Sequence, residues 1–213
     1  NQLALSHQPR TLPPETEPQP ATSREKELRK AICDFVHRAY AHRLMTSTKG
    51  SFSARIDAET FLFTPYNVDR RELSIGDLVV VRNGHRAAGR TPSRAYAIHS
   101  AIYHAHPEIN AVVNALPVHA SAFCASEARL DTRTIPESYL FLKDVKTIPF
   151  DLQYNGVEAI AQYVGPKNPV ALLENNGVLV AGLTVLDAFD RLEVLEATAT
   201  AILRSQSLGP VQA

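Results

Sequence analysis

Several residue types are scarce in this chain, and each scarcity excludes a class of protein. The 213 residues contain no tryptophan, one methionine and two cysteines. Cys33 and Cys124 are too few for a disulfide scaffold, so we expect a reducing, cytoplasmic setting, with one bridge between them left open as an alternative. The only methionine is Met45 and the chain begins with asparagine, so we expect the native start to lie upstream of this sequence.

The chain also has no excess of one charge and no long hydrophobic run. Lys plus Arg equals Asp plus Glu, 22 against 22, so the basic surface of a general nucleic-acid binder is missing. The longest apolar runs, such as residues 109–116, are too short to cross a bilayer. We therefore expect a soluble globular protein without nucleic-acid or membrane partners, and any anion that it binds is expected to be small.

The sequence predicts one folded domain with a short segment on each side. Residues 1–22 contain five prolines and no apolar periodicity, which predicts a disordered or extended N-terminal segment. Residues 23–207 are expected to form the domain, and residues 208–213 a short C-terminal tail. A chain of this length can bury a substantial single core.

Helical periodicity appears in five segments. Thr22 and Glu25 form a capping-box pattern, which predicts an amphipathic helix that ends near Leu44. A second helix is predicted from Pro92 until Pro107 stops it. Three further helices are predicted over residues 117–125, 157–164 and 185–202.

Short strands are predicted between the helices by period-two alternation and β-branched runs. Their ranges are 52–56, 61–63, 77–81, 111–113, 139–142, 145–148, 170–173 and 178–180. Asn176-Gly177 lies between the last two strands and is a strong hairpin signal. The interleaving of helices and strands predicts an α/β fold, namely a single three-layer α/β/α domain with a central sheet.

Strings of residues along the chain resemble the class II aldolase and adducin family. Residues 50–55 (Gly-Ser-Phe-Ser-Ala-Arg) resemble the family's Gly-Asn-Val/Ile-Ser-x-Arg turn, and residues 63–65 (Phe-Thr-Pro) its Thr-Pro segment. Residues 99–103 (His-Ser-Ala-Ile-Tyr), 112–113 (Val-Val), 165–167 (Gly-Pro-Lys) and 176–182 match later segments. The resemblance runs from about Arg24 to Ser205, looks closest to the adducin-like branch, and implies a mainly antiparallel sheet.

The resemblance implies a zinc-dependent lyase that cleaves sugar phosphates or related hydroxyketones. In the family three histidines hold the metal and a glutamate transfers the proton, because imidazoles suit a Lewis-acidic cation and a carboxylate suits a base. Here the three ligand positions are Asn114, Leu116 and Asn176, and the glutamate position is Ala95. We therefore expect no zinc and no other cofactor, since Leu116 and Ala95 have no donor atom.

Polar residues remain at other pocket positions of the family. A glycine-serine turn, a helix N-terminus and a guanidinium all favour an anion, and Lys49 adds positive charge. The predicted ligand-binding residues are Gly50, Ser51, Thr64, Ser93 and Arg94. The alternative is that Ser51 closes a turn, Ser93 caps a helix and Arg94 is solvated.

The sequence leaves the catalytic residue unknown, with His119 as a candidate for a rebuilt site. His99, His104, His106 and His119 form either a displaced metal site or ordinary core and surface histidines. Asn176-Gly177 is either a hairpin turn or a polar remnant of the ligand loop. Cys124 is expected to pack in the core rather than act as a nucleophile.

Three functions follow from this pattern. The first is a non-catalytic or metal-independent homo-oligomer, a tetramer by resemblance, that binds a small carbohydrate-like anion. The second is an aldehyde-lyase that acts on a sugar phosphate or hydroxy acid through a rebuilt site with Arg94 and His119. The third, an adducin-like protein-interaction module, ranks last because adducin binds the cytoskeleton largely through a basic tail without a counterpart in this sequence.

Charge is distributed unevenly along the balanced chain. Residues 69–94 contain six arginines, whereas residues 184–196 contain four acidic residues. We expect a cationic pocket rim and an acidic helix that neighbouring subunits bring together.

Overall fold

The structure is a computed structural model that describes residues 12–209. Its strands are β1 Glu15–Thr16, β2 Ser51–Arg55, β3 Thr60–Phe63, β4 Val79–Arg82, β5 His85–Ala87, β6 Ala111–Ala115, β7 Lys146–Ile148, β8 Val170–Leu173 and β9 Val178–Gly182. Its helices are α1 Ser23–Ala41, α2 Tyr96–Ala105, α3 Ala120–Cys124, α4 Pro136–Leu142, α5 Leu152–Asn155, α6 Val157–Ile160 and α7 Val185–Ser205. A 3-10 helix, Thr132–Thr134, precedes α4.

These strands form one sheet in the order β1-β5-β4-β3-β2-β6-β9-β8-β7. Neighbouring strands are antiparallel except for the two edge pairs, β1 with β5 and β7 with β8. Ser51 at the start of β2 lies opposite Asn114, and Ala115 at the end of β6 lies opposite Val178. This register brings the start of β2, the end of β6 and the start of β9 to one end of the sheet. The prediction of a mainly antiparallel sheet is confirmed.

Helices cover both faces of the sheet because apolar side chains alternate between the faces along the strands. On one face, α1, α3, α4 and α7 pack against strand residues that include Phe52 and Val113. On the other face, α2 and α6 pack against strand residues that include Phe63 and Val112. The predicted three-layer α/β/α domain is therefore confirmed.

The long first helix begins where its capping pattern predicts. The Oγ1 atom of Thr22 accepts a hydrogen bond from the backbone N–H of Glu25 at 3.1 Å, and this bond satisfies one of the free donors at the helix start. The helix ends at Ala41 rather than near Leu44. Arg43 has a positive φ of 59°, a left-handed conformation that cannot continue the helix.

Other predicted elements also require correction. The helix predicted over residues 157–164 ends at Ile160, after which the chain forms turns. The segment 139–142 was predicted as a strand but belongs to α4, which Pro136 begins with a φ preset for the first helical turn. The helix predicted from Pro92 begins only at Tyr96, because Pro92 forms a β-bridge with Pro65. The periodicity of a short apolar run is not enough to distinguish a strand from a helix.

The ends of the described chain are extended or turned. Residues 12–22 include β1, which pairs in parallel with β5, while residues 1–11 of the predicted N-terminal segment lie outside the described residues. Of the predicted tail, residues 210–213 also lie outside them. Within residues 12–209 no helix combines the length and the hydropathy that a membrane crossing requires.

Candidate functional site

An open cleft with a volume of about 1140 Å³ lies at the end of the sheet where β2, β6 and β9 meet. Four of the predicted ligand-binding residues line it, namely Gly50, Ser51, Ser93 and Arg94. All four positions that the resemblance assigns to metal and proton transfer also line it, namely Ala95, Asn114, Leu116 and Asn176. The lining also includes residues 153–155, 157 and 158 of α5 and α6.

Gly50 shapes the turn that enters β2. Its φ is +101°, and a Cβ atom there would lie 2.5 Å from the Cε of Met45. A side chain at this position would therefore meet both backbone strain and a steric clash. The turn places the backbone of Gly50 and the side chain of Ser51 on the cleft.

Three buried hydroxyl groups form a cluster behind this turn. Ser51 Oγ lies 2.6 Å from Ser93 Oγ and 2.9 Å from Thr64 Oγ1. Thr64 is fully buried and supports Ser51 from behind, so it does not itself line the cleft. The Ser93 hydroxyl bonds to Ser51 and not to the helix N-terminus, since Ala95 precedes α2 without a side-chain cap. The proposed cap at Ser93 is therefore wrong.

Positive charge is concentrated at the same end of the cleft. The guanidinium of Arg70 is buried and donates to the carbonyl oxygens of Gly50, Pro65 and Val68 at 3.0 to 3.1 Å. Burial lowers the pKa of Arg70 to about 10, so the side chain is still a cation at neutral pH. Lys49 and Arg94 are exposed cleft residues, and burial followed by the charge of Arg94 lowers the pKa of Lys49.

The residues at the metal positions do not fit a zinc ion. Asn114 Oδ1 lies 2.8 Å from Nε2 of His99, and Asn176 Nδ2 donates to Gln153 Oε1 at 3.0 Å. Leu116 offers only hydrocarbon. Among residues 12–209, no three His, Cys, Asp or Glu side chains come together as a metal site would require. Two hydrogen-bonded amides and a leucine differ from the sulfur, imidazole and carboxylate ligands that hold zinc.

A chain of buried polar groups lies beneath Asn114. His99 is fully buried, and its Nδ1 lies 2.7 Å from Ser53 Oγ, which lies 2.7 Å from the hydroxyl of Tyr103. Burial lowers the pKa of His99 to about 4 and raises the pKa of Tyr103. His99 is thus a neutral core histidine at neutral pH. The sequence feature that indicates this buried pair is the four-residue spacing of His99 and Tyr103, which places them on one face of a helix.

The structure does not bring His119 to the cleft. Its Nδ1 lies 2.8 Å from Glu196 Oε1, and the backbone N–H groups of His119 and Ala120 also donate to that carboxylate. Glu196 therefore satisfies donors at the start of α3 that have no partner within the helix. This arrangement ties α3 to α7 on the side of the sheet away from α2, so His119 does not contribute to the cleft.

The two cysteines are free and buried. The thiol of Cys124 donates to the carbonyl oxygen of Gly177 at 3.0 Å, and burial raises its pKa to about 11. A buried thiol that stays protonated is a weak nucleophile. A histidine and a glutamate that were not among the predicted pocket residues, His104 and Glu158, also line the cleft.

Comparison with known proteins links the chain to one family. A family model described as Class II Aldolase and Adducin N-terminal domain matches residues 30–203. The L-fuculose phosphate aldolase of Methanococcus vannielii is 27% identical over 168 residues, which cover 78% of this chain and 91% of that protein. The methylthioribulose-1-phosphate dehydratase of Yersinia enterocolitica is 29% identical over 167 residues, which cover 70% and 79%.

A solved structure supports the fold. The crystal structure of L-fuculose-1-phosphate aldolase from Thermus thermophilus matches with a TM-score of 0.75 and 23% identity. The match covers 86% of this chain and 98% of that chain. At this identity, the likeness demonstrates the shared architecture alone.

Proposed function

This chain belongs to the class II aldolase and adducin family, and we propose that it binds a small phosphorylated, carbohydrate-like anion in the cleft without a zinc ion. The observation that carries this proposal is the combination of paired serine hydroxyls and three cationic side chains at one end of the cleft. The proposal has two parts, anion binding and independence from metal, and each has its own test.

Anion binding is supported by the buried positive charge of Arg70. Its guanidinium donates hydrogen bonds to three neutral carbonyl groups, and the exposed carboxylate of Asp69 raises its pKa. A buried cation exerts a strong field in a medium of low dielectric constant. An anion beside Ser51 and Ser93 would also relieve the repulsion between Lys49 and Arg94.

The proposed ligand class rests on the cleft and on the relatives. The volume of about 1140 Å³ exceeds what a bare phosphate needs and suits a small organic molecule. The names of both relatives include a phosphorylated sugar. These points support a ligand that joins a phosphate group to a short polyhydroxy chain.

Calorimetric titration with inorganic phosphate and with dihydroxyacetone phosphate tests anion binding. Arg94→Gln should weaken binding of both about tenfold, since a hydrogen bond to a charged group contributes roughly 1.5 kcal/mol. Arg90→Gln is the matched control, because Arg90 is exposed and does not line the cleft. If neither anion binds the wild-type protein, the proposed anion site is wrong.

Elemental analysis of protein purified without a chelator tests the second part. We expect far less than one zinc per chain, because Asn114, Leu116 and Asn176 do not form a zinc site. One zinc per chain, retained after gel filtration, would contradict metal independence and leave anion binding untouched.

A second candidate function is a lyase with a rebuilt proton-transfer group. His104 and Glu158 favour it, because an imidazole and a carboxylate that line one cleft are suitable acids and bases. A screen of phosphorylated ketoses and aldehydes should then show turnover that His104→Gln or Glu158→Gln lowers. Turnover no greater than the background rate would eliminate this candidate.

We also propose that the protein forms a homo-oligomer, a tetramer by family resemblance. Support comes from leucines that are more than half exposed, namely Leu140, Leu183 and Leu186, since oligomer interfaces bury apolar surface. Sedimentation velocity should give the mass of four chains, and a monomeric mass would contradict the proposal.

A further inference from the structure

The two asparagines at the former metal positions are each held by a buried partner. Asn114 Oδ1 is 2.8 Å from Nε2 of His99, and Asn176 Nδ2 is 3.0 Å from Oε1 of Gln153. His99 is fully buried and Gln153 is 6% exposed, whereas both asparagines line the cleft. The buried partner of each asparagine therefore determines whether the amide oxygen or the amide nitrogen forms the internal hydrogen bond.

The hydrogen bonds around His99 fix the polarity of Asn114. Tyr103 is 1% exposed, and Ser53 Oγ lies 2.7 Å from its hydroxyl, where it can accept the phenol proton. Ser53 Oγ has two acceptors within reach, Nδ1 of His99 at 2.7 Å and the carbonyl oxygen of Val112 at 3.4 Å. Nδ1 is the better acceptor, because the contact is shorter and because Asn114 Oδ1, which can only accept, faces the other ring nitrogen. The ring proton then sits on Nε2 and is donated to Asn114 Oδ1.

This order leaves the nitrogen of the Asn114 amide for the cleft. Its carbonyl oxygen is engaged by His99, so the Nδ2 protons are the remaining donors. Protonation of His99 would not change this polarity, since an imidazolium also has a proton on Nε2. Asn114 therefore acts as a hydrogen-bond donor toward a ligand.

Gln153 fixes the orientation of the Asn176 amide, and here the amide nitrogen rather than the oxygen is engaged. The Nε2 group of Gln153 donates to the carbonyl oxygens of Glu174, at 2.9 Å, and Ile148, at 3.4 Å. Its Oε1 atom must therefore be the acceptor, and it receives the Nδ2–H of Asn176. The oxygen of the Asn176 amide is left as the acceptor group of that side chain.

The backbone brings the two amides to neighbouring positions. Gly177 follows Asn176 and packs directly against the carbonyl oxygen of Ala115, the residue after Asn114. Only glycine permits this approach, because a Cβ atom at residue 177 would overlap that oxygen. The donor and the acceptor thus extend from backbone segments that touch each other, and both line the cleft. Ser51, at the cationic end, lies opposite Asn114 in the sheet.

We infer that His99 and Gln153 are positioning residues that hold Asn114 as a donor and Asn176 as an acceptor for a ligand with a carbonyl group beside a hydroxyl group. This inference rests on the proposed anion site, since the phosphate group would place the rest of the ligand over these amides. The carbonyl oxygen accepts from Asn114, and the adjacent hydroxyl donates to Asn176.

Nitrogen-15 NMR of the labelled protein at neutral pH tests the polarity directly. We expect the His99 ring to carry its proton on Nε2 and to have an unprotonated Nδ1. A proton on Nδ1 alone would reverse the hydrogen-bond order and overturn the inference. The measurement needs no substitution, so it does not depend on whether a variant folds.

A comparison of two probes tests the consequence for binding. Dihydroxyacetone phosphate carries a phosphate, a carbonyl and a hydroxyl, whereas inorganic phosphate tests the anion end alone. Asn114→Ala and His99→Phe should each reduce the preference for dihydroxyacetone phosphate about threefold to tenfold and leave phosphate affinity unchanged. His99→Gln, which keeps an N–H donor, should retain more of the preference than His99→Phe.

The outcomes separate this inference from the anion site beneath it. If inorganic phosphate binds and Asn114→Ala leaves the preference unchanged, the inference is wrong and the anion site stands. If neither probe binds the wild-type protein, the anion site itself is wrong. If His99→Phe weakens the binding of both probes equally, His99 has a purely structural role. Asn114→Ala then decides the inference, because the Asn114 side chain is partly exposed and its removal disturbs the core less.

Discussion

Arg70 places a buried positive charge behind the cleft, and its hydrogen bonds offset part of the cost of burial. Arg70→Met would leave the carbonyl groups of Gly50, Pro65 and Val68 without donors. We expect this variant to lose about 3 kcal/mol or more of unfolding free energy. The free energy of unfolding of Arg70→Lys should lie between those of Arg70→Met and the wild type, because an ammonium keeps the charge but lacks the planar set of donors.

Urea-induced unfolding measures these differences, with Arg71→Met as the matched control. The Arg71 side chain is 71% exposed in its surface ion pair with Glu72, so its loss should cost less than about 1 kcal/mol. Equal losses for Arg70→Met and Arg71→Met would show that the buried hydrogen bonds contribute nothing specific.

His99 should make the protein less stable in mild acid. Its pKa is about 4 in the folded protein and roughly 6.5 in an unfolded chain. Between these values the unfolded state binds more protons, so the free energy of unfolding rises with pH and the gain is complete above about pH 6.5. The shift corresponds to roughly 3 kcal/mol, since one pKa unit is worth about 1.4 kcal/mol.

Urea unfolding of the wild type and His99→Gln at intervals from about pH 4.5 to 7.5 checks this prediction. The groups that contact the ring, Ser53, Asn114 and Phe63, do not titrate in this range. The wild type should therefore lose more stability than the variant as the pH falls. Parallel curves would show that His99 keeps an ordinary pKa in the folded protein.

The sequence identified several cleft residues but not the side chains that hold them. Ser51, Ser93 and Arg94 were predicted from the family's pocket positions, and all three line one cleft. Arg70 was missed because it stands beside Arg71 in a polar loop, and nothing local distinguishes the buried arginine from the exposed one. The distinction arises only when the chain after β3 folds back over Gly50.

At the scale of elements, the short helix α3 depends on a carboxylate from α7. Glu196 accepts from two backbone N–H groups and from the ring of His119. Glu196→Ala should cost about 2 kcal/mol, because buried donors at a helix start lose their partner. His119→Ala should lower stability and leave phosphate affinity unchanged, since His119 lies outside the cleft.

Thermal unfolding and phosphate titration of both variants measure these effects, with Glu193→Ala as the control on the same helix. Glu193 forms a half-exposed ion pair with Arg38 and lies 3.0 Å from Nδ1 of the exposed His42, so its loss should cost under about 1 kcal/mol. A large fall in phosphate affinity in His119→Ala would contradict the placement of His119 away from the cleft.

The acidic face of α7 illustrates how tertiary contacts redefine a sequence pattern. Four acids in residues 184–196 suggested a face for a neighbouring subunit. In the structure Asp187 pairs with Arg191, Glu193 with Arg38, and Glu196 with the start of α3. Three of the four carboxylates therefore have partners within the chain. Arg191 is local on the same helix, whereas Arg38 and the start of α3 become neighbours of α7 only when the helices pack on the sheet.

At the scale of the whole molecule, the architecture was predictable because many weak signals agree. Capping residues, apolar alternation and the Asn176-Gly177 turn all favour the same layered fold. The strand predicted at 139–142 failed because four apolar and aromatic residues fit either a strand or a helix turn. Pro136, which starts α4, lies outside that short window.

The sheet register predicts that residues 114, 116 and 176 converge, and the introduction of a metal site at these positions tests this feature of the fold. Residues 114 and 116 are two apart at the end of β6, so their side chains share a face of the strand. Residue 176 precedes β9, the antiparallel neighbour of β6, and all three positions line the cleft. The triple variant Asn114→His/Leu116→His/Asn176→His should therefore acquire a site for one zinc per chain.

Elemental analysis after dialysis against zinc measures this gain, with the double variant Asn114→His/Leu116→His as the control. Two imidazoles should hold zinc much more weakly than three, because structural and catalytic zinc sites use at least three protein ligands. The triple variant should also unfold at a higher temperature with zinc than with a chelator, since a ligand that binds only the folded state stabilises it. If the triple variant binds no more zinc than the wild type, the three side chains do not converge on one point. The expected lack of zinc in the wild type would then not follow from the asparagine, leucine and asparagine at these positions alone.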